Sequence, residues 1–212
     1  MKNSPWYTVA FMFAVTAFFS SILIALAAVT RERVATNERS AFERAVMEAL
    51  DIMPATRASP TEMHKAFAET VQKPDDSSGG AFMLVADRRL KAYALPFSGQ
   101  GFWAPVSGVL GISADTKRIT GISFYEQNET PGLGAEIAKT PFRRQFRNLP
   151  LPPPGQVLHI RRAGATLAKG EVHGVTGATQ TSVRVERIIN NALANWRSAL
   201  SSHESRQSGS HP

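Results

Sequence analysis

Residues 173–182 read HGVTGATQTS and run without a break into VRVERIINNALANW. The second part is helical by spacing. Val185, Ile188, Ile189, Ala192, Leu193 and Trp196 fall on one side, an apolar face that should dock on a sheet. The first part feeds that helix. Gly177 and Ala178 are small enough for backbone to approach a ligand closely, and the helix behind them offers free N–H groups and the positive end of its dipole. Such a junction suits an anion, typically phosphate. It is not a P-loop, since it has no Gly-Lys-Ser/Thr ending and no lysine inside it. From these residues alone, a plain helix cap by Thr181 or Ser182 explains the stretch as well.

The sheet that the helix needs is written upstream. FMLVA (82–86) and residues 90–95 form a strand pair about the polar turn Asp87-Arg88-Arg89. VSGVLGIS (106–113) and RITGISFYEQ (118–127) form another, turning at Ala114-Asp115-Thr116-Lys117, with PFSGQGFWAP as the connector between the pairs. NETPGLGAE is a Gly/Pro loop, a helix is expected from Pro141, and LPLPPPG is a stiff connector. Residues 156–162 read as a strand, followed by a turn at Lys169-Gly170. On the N-terminal side, Val34, Phe42, Val46 and Leu50 recur at helical spacing up to Pro54. A second helix starts at Ser59, with Pro60 at its first position and Glu62 completing a capping box. Residues 73–80 are a loop.

The chain has 212 residues and a formal charge of +7, a length for one domain plus an anchor. It contains no cysteine, which removes disulfides, thiolate metal sites and thiol nucleophiles. Its basic residues are spread out, without interleaved aromatics, so no nucleic-acid partner is expected. Its histidines have no metal-ligand spacing, and His173 has no evident carboxylate partner, so neither a metal nor a catalytic acid–base residue is assigned. Residues 6–30 carry no charge, and about 20 apolar residues suffice to cross a bilayer. Lys2 precedes this segment, Arg31, Glu32 and Arg33 close it, and Trp6 and Tyr7 stand at an interface position. It is too long for an ordinary signal-peptide core and reads as an uncleaved anchor. Charge counting leaves its orientation open.

Three motifs then carry a resemblance. Thr176-Gly177-Ala178-Thr179-Gln180-Thr181 resembles the covalent flavinylation motif of the FMN-binding domain family of the Nqr/Rnf type, found in sodium-translocating NADH:quinone reductases and in Rnf electron-transport complexes. Glu129-Thr130-Pro131-Gly132-Leu133-Gly134 is similar to that family's other fixed loop, and Gly101-Phe102-Trp103 to a Gly-Leu-Trp stretch of its quinone-reductase members. The resemblance implies FMN held covalently through a phosphoester to Thr181, in a membrane-anchored electron-transfer subunit. It implies as partners the other subunits of a membrane redox complex and a flavin transferase, with the lipid bilayer around the anchor. It also implies a flavin domain on the extracytoplasmic side of a bacterial inner membrane. A stand-alone anchored flavin module is the alternative. Gln180 and the Ala104-Pro105 pair depart from the family's usual residues.

On this resemblance Thr176, Thr179 and the N–H groups of Ser182 and Val183 would meet the phosphate, and Gly177 and Ala178 would be small to spare it room. Thr130, Gly132 and Leu133 would meet the ring. Glu129 either fixes its loop by accepting backbone N–H bonds or lies beside the flavin; Trp103 is either core or a stacking wall. The expected organisation is residues 1–5 cytoplasmic, 6–30 transmembrane, 31–80 juxtamembrane helices and linker, 81–200 an FMN-binding domain, and 201–212 a disordered tail. The expected fold is α+β: a mostly antiparallel sheet flanked by helices behind one membrane helix.

Overall fold

A computed structural model describes residues 5–53 and 58–208. The chain divides into two units, Met1–Arg39 and Ser40–Pro212. Helix α1, Pro5–Ala49, supplies the first unit, where its apolar side chains, among them Trp6, Phe13, Phe18, Leu23 and Val29, are exposed. This helix is long and apolar enough to cross a membrane. Pro54, expected to end it, lies outside the described residues; the helix stops at Ala49.

The second unit is built on a six-stranded antiparallel sheet with its strands in chain order: β1 (Val71–Gln72), β2 (Phe82–Ala86), β3 (Arg89–Gln100), β4 (Pro105–Ser113), β5 (Arg118–Gln127) and β6 (Leu149–Pro150). The β2–β3 hairpin turns through Asp87 and Arg88, both at positive φ, which matches the right-handed twist of the strands it joins. Strand β3 is longer than its sequence suggests. Residues 96–100 extend it along Pro105–Val109 instead of forming a connector. Pro96 is tolerated there because β2 pairs no further than Ala94, so beyond that point β3 has a ladder on one side only.

Helices cover both faces of this sheet. Helix α4, Thr179–Ser208, packs Val185, Ile188, Ile189, Leu193 and Trp196 against Leu95, Phe97, Val106 and Leu110. The indole N–H of Trp196 donates to Ser78 O at 2.9 Å, so this large ring is buried with its polar atom satisfied. The helix continues through 201–208, eight residues into the segment read from sequence as a tail; hydrogen bonds such as Ser205 Oγ to Ser201 O accompany that last part. A separate parallel pair, β7 (His159–Arg161) and β8 (Glu171–His173), lies beside α4. Strand β7 is shorter than residues 156–162 suggest. The Asn190 side chain bonds both Leu158 N and Leu158 O, and Glu186 accepts from Ile160 N, so side chains of α4 replace a neighbouring strand. The helix expected from Pro141 is brief: α3 is Thr140–Arg143, followed by a single tighter turn, Arg144–Phe146.

On the opposite face, residues 45–50 and helix α2 (Pro60–Thr70, with the Ser59/Glu62 capping box present) cover Leu84, Ala92, Ala94 and Val109. Gly111 and Gly121 face each other across β4 and β5, and a Cβ on Gly111 would stand 2.1 Å from Ala49 O. Thr120 Oγ1 donates to the same carbonyl at 2.7 Å, satisfying an orphan acceptor at the helix end. The end of α1 is therefore seated by direct backbone contact. Gly111→Ala should cost about 1–3 kcal/mol through overpacking. Thermal unfolding of the full chain in detergent checks this, and an unchanged midpoint would refute the close seating.

Candidate functional site

The loop of residues 174–178 is held at both ends before α4 begins. Gln145 grips the end of β8, accepting from His173 N at 2.8 Å and donating to His173 O at 3.1 Å. Gly174 N donates to Arg161 O at 2.6 Å. Ser182 stitches the loop to the helix: its Oγ accepts from Val175 N at 3.1 Å and donates to Ala178 O at 3.0 Å. Between these anchors Gly177 takes φ +76, and its Cβ position lies 3.0 Å from Leu133 Cδ2. A side chain there would strain the backbone and press on the Leu133 side chain. The α4 N-terminus is thus presented as a fixed object.

Thr181, on the first turn of α4, is 2 % exposed and donates from Oγ1 to Glu129 Oε2 at 2.8 Å. Glu129 is itself buried, and its Oε1 accepts from Trp103 N at 3.0 Å. One carboxylate therefore ties together three segments far apart in sequence. Two glycines make room for it. A Cβ on Gly101 would come within 2.5 Å of Glu129 Oε1, and one on Gly134 within 2.6 Å of Thr181 Oγ1. The motifs around Gly101, Glu129 and Thr181 converge on one polar knot, because a buried carboxylate needs a donor at each oxygen.

The remaining expected residues lie around it. Thr176, Gly177 and Thr179 are exposed, Ala178 is buried, and Thr130, Gly132 and Leu133 form an exposed turn in which Thr130 O accepts from Leu133 N and Ala135 N. Trp103 is 68 % exposed, so it is not core, and Phe102 packs edge-on against it at 4.9 Å between ring centroids. Glu129 accepts a backbone N–H from Trp103 of the neighbouring turn, not from its own loop. One expectation fails. The Ser182 N–H is not free for an anion, because it donates to Ala178 O at 3.0 Å and makes the first bond of the helix ladder. The N–H groups ahead of that bond belong to Thr179, Gln180 and Thr181. The His173 ring approaches a backbone carbonyl, with Nδ1 3.5 Å from Arg162 O.

Sequence reading missed Arg184, one turn beyond Thr181. Its guanidinium carbon stands 5.9 Å from the centroid of the Phe102 ring, and its Nε is buried without a hydrogen-bond partner among the described residues. The available signal was electrostatic: a cation so close to a helix N-terminus opposes the dipole, which argues for an anion beside it. Concave surface is present nearby. A cavity of about 330 Å³ is lined by Gly132, Gln145, Gly174 and Thr176, and one of about 640 Å³ by Gly99, Gln100, Arg184 and Ile188.

Residues 101–194 match the model of the FMN-binding domain family. The NqrC protein of the sodium-translocating NADH-quinone reductase of Pasteurella multocida is 34% identical over 104 residues, which cover 48% of this chain and 38% of that protein. Its counterpart in Haemophilus ducreyi is 29% identical over 157 residues, covering 73% of this chain and 57% of the relative. The chain thus spans about half the length of these relatives. Among solved structures, the NqrC protein of Parabacteroides distasonis superposes with a TM-score of 0.68 at 23% identity, covering 80% of this chain and 96% of that one. NqrC of Shewanella oneidensis gives 0.61 at 20% identity, covering 79% of this chain and 98% of that one. At those identities the likeness concerns the fold: an antiparallel sheet flanked by helices, as the sequence led us to expect.

The stitch at Ser182 yields a direct expectation. Ser182→Ala leaves Val175 N without its acceptor and should destabilise the domain by about 1 kcal/mol. The measurement is chemical unfolding monitored by tryptophan fluorescence; no loss of stability would mean that the stitch contributes nothing.

Proposed function

We propose that the chain, whose residues 101–194 match the FMN-binding domain family, is a membrane-anchored electron-transfer subunit with FMN esterified to Thr181. The observation that carries this reading is the convergence of the three motifs on the Glu129 carboxylate, which accepts from the buried Thr181 hydroxyl and from Trp103 N. The residues present fit the group. An ester at Thr181 Oγ would bring the phosphate to the α4 N-terminus, within reach of the N–H groups of Thr179, Gln180 and Thr181 and of the Thr176 and Thr179 hydroxyls. Arg184 adds a guanidinium whose buried Nε lacks a partner among the described residues. Phe102, Trp103 and Leu133, exposed at 42 %, 68 % and 43 %, supply apolar and aromatic surface for the ring.

Bound there, FMN supplies the redox chemistry, while the polypeptide sets its position and surroundings. Ala178 and Gly177 leave the ester room. The Thr130–Gly134 turn, with Gly132 at φ +74, brings Leu133 over Gly177. Glu129 keeps that turn registered against Trp103 and α4. The long exposed apolar helix suits a bilayer anchor; in this reading the flavin domain lies on the extracytoplasmic side and is matured by a flavin transferase. The names of the relatives favour a sodium-translocating NADH:quinone reductase over an Rnf complex as the surrounding assembly. In that assembly NADH oxidation and ion movement would belong to other subunits, since one membrane helix does not make an ion path.

Co-expression with a flavin transferase followed by intact-mass measurement tests the reading. An FMN adduct should appear on the wild-type chain and vanish in Thr181→Ala. An adduct that survives the substitution moves the attachment elsewhere. Arg184→Gln should leave the adduct in place and change its visible spectrum; an unaltered spectrum removes Arg184 from the site.

A further inference from the structure

Glu129 brings a carboxylate oxygen against a hydroxyl as well as anchoring the Trp103 turn. Its Oε1 already accepts from Trp103 N at 3.0 Å, and its backbone N–H is taken by Gln127 Oε1 at 2.9 Å. The second carboxylate oxygen accepts from the Thr181 hydroxyl at 2.8 Å. The pair is sheltered: Thr181 is 2 % and Glu129 4 % exposed. Gly134 is what permits the approach, since a Cβ there would lie 2.6 Å from Thr181 Oγ1 and 2.7 Å from Glu129 Oε2. A hydroxyl is a weak nucleophile until a base within hydrogen-bond reach takes its proton, and this geometry is that of a nucleophile with its base.

Resting on the reading that FMN is esterified to Thr181, we propose that Glu129 is the catalytic base of that attachment, supplied by the acceptor protein itself. Joining a phosphate monoester to a hydroxyl in water is uphill, so the donor must carry the flavin phosphate in an anhydride, which a flavin dinucleotide does. The Thr181 Oγ attacks the flavin-side phosphorus of that dinucleotide. The Oγ–P bond forms, the pyrophosphate P–O bond breaks, and the nucleoside monophosphate leaves. The hydroxyl proton passes to Glu129 Oε2, and no electrons change hands. Thr181 Oγ1 is buried beside the exposed turn 130–133, so the attack requires that turn to move aside. The bond from Trp103 N to Oε1 takes no part in the transfer.

The test follows adduct formation over time by intact mass, using the full chain in detergent with a flavin transferase and a flavin dinucleotide, alongside thermal melting. A structural role and a chemical role predict opposite rankings of two variants. Glu129→Gln keeps the length of the side chain and an acceptor for Trp103 N but takes no proton; Glu129→Asp keeps the carboxylate and shortens its reach. The proposal expects the glutamine variant to melt near wild type and to be loaded about 10²-fold more slowly, with the aspartate variant faster than the glutamine one. A folded glutamine variant loaded at the wild-type rate, or faster than the aspartate variant, overturns it. Should the glutamine variant fail to melt cooperatively, the aspartate variant decides alone: about tenfold slower loading supports the proposal and wild-type loading overturns it. Failure of the parent reading looks different, since the wild-type chain would then carry no adduct at Thr181.

Discussion

A buried carboxylate with two oxygens to satisfy is the constraint on which this domain's functional end depends. Glu129 leaves water on folding, and that costs several kcal/mol unless donors replace the lost hydration. The donors are the Trp103 backbone and the Thr181 side chain, 26 and 52 residues away in sequence. Meeting the requirement at both oxygens forces the 101–103 turn, the 129–134 loop and the first turn of α4 into one place. It also dictates glycine at 101 and 134, where any side chain would press into the carboxylate. The convergence of these motifs therefore has a plain physical cause: three segments share one charge.

The rest of the domain keeps that knot from moving. Strand β4 is buried from Val106 to Ile112, with α4 on one face of its sheet and the end of α1 and α2 on the other. The β3–β4–β5 ladders carry the Trp103 turn and the Glu129 loop at the same end of adjacent strands. Helix α4 brings Thr181 to that end because its apolar side chains lock onto β3, with Gly99 giving Ile188 its close seat. The same helix completes the exposed edge of β7 through Asn190 and Glu186, so the strand pair that delivers residues 174–178 is fastened to the helix it leads into. Sheet, helix and loop are thus mutually positioned without a disulfide or any metal-ligating cluster among the described residues.

Much of this was legible in the chain. The β4–β5 hairpin, the capping box at Ser59 and the buried face of α4 follow from alternation, cap chemistry and helical spacing, which act over a few residues and are written locally. The misreadings share one origin. The extension of β3 through Pro96 depends on how far β2 reaches, and the shortness of β7 depends on side chains from α4. The Ser182 N–H is lost to the helix ladder because the helix starts at Thr179, just early enough to claim it. Arg184 went unnoticed because a lone arginine on an amphipathic helix looks like solvated surface until Phe102 is found under it.

What the sequence determined by itself was the kind of object: an apolar segment able to span a bilayer, an antiparallel sheet with helices, and a glycine-and-threonine junction suited to an anion. Those properties follow from composition and short-range periodicity. Only the tertiary structure decided which hydroxyl faces which carboxylate. Trp103, Glu129 and Thr181 are distant along the chain, and no local rule pairs them. Their meeting is fixed by strand register, by the helix packed across β3, and by the cost of leaving a buried charge without donors.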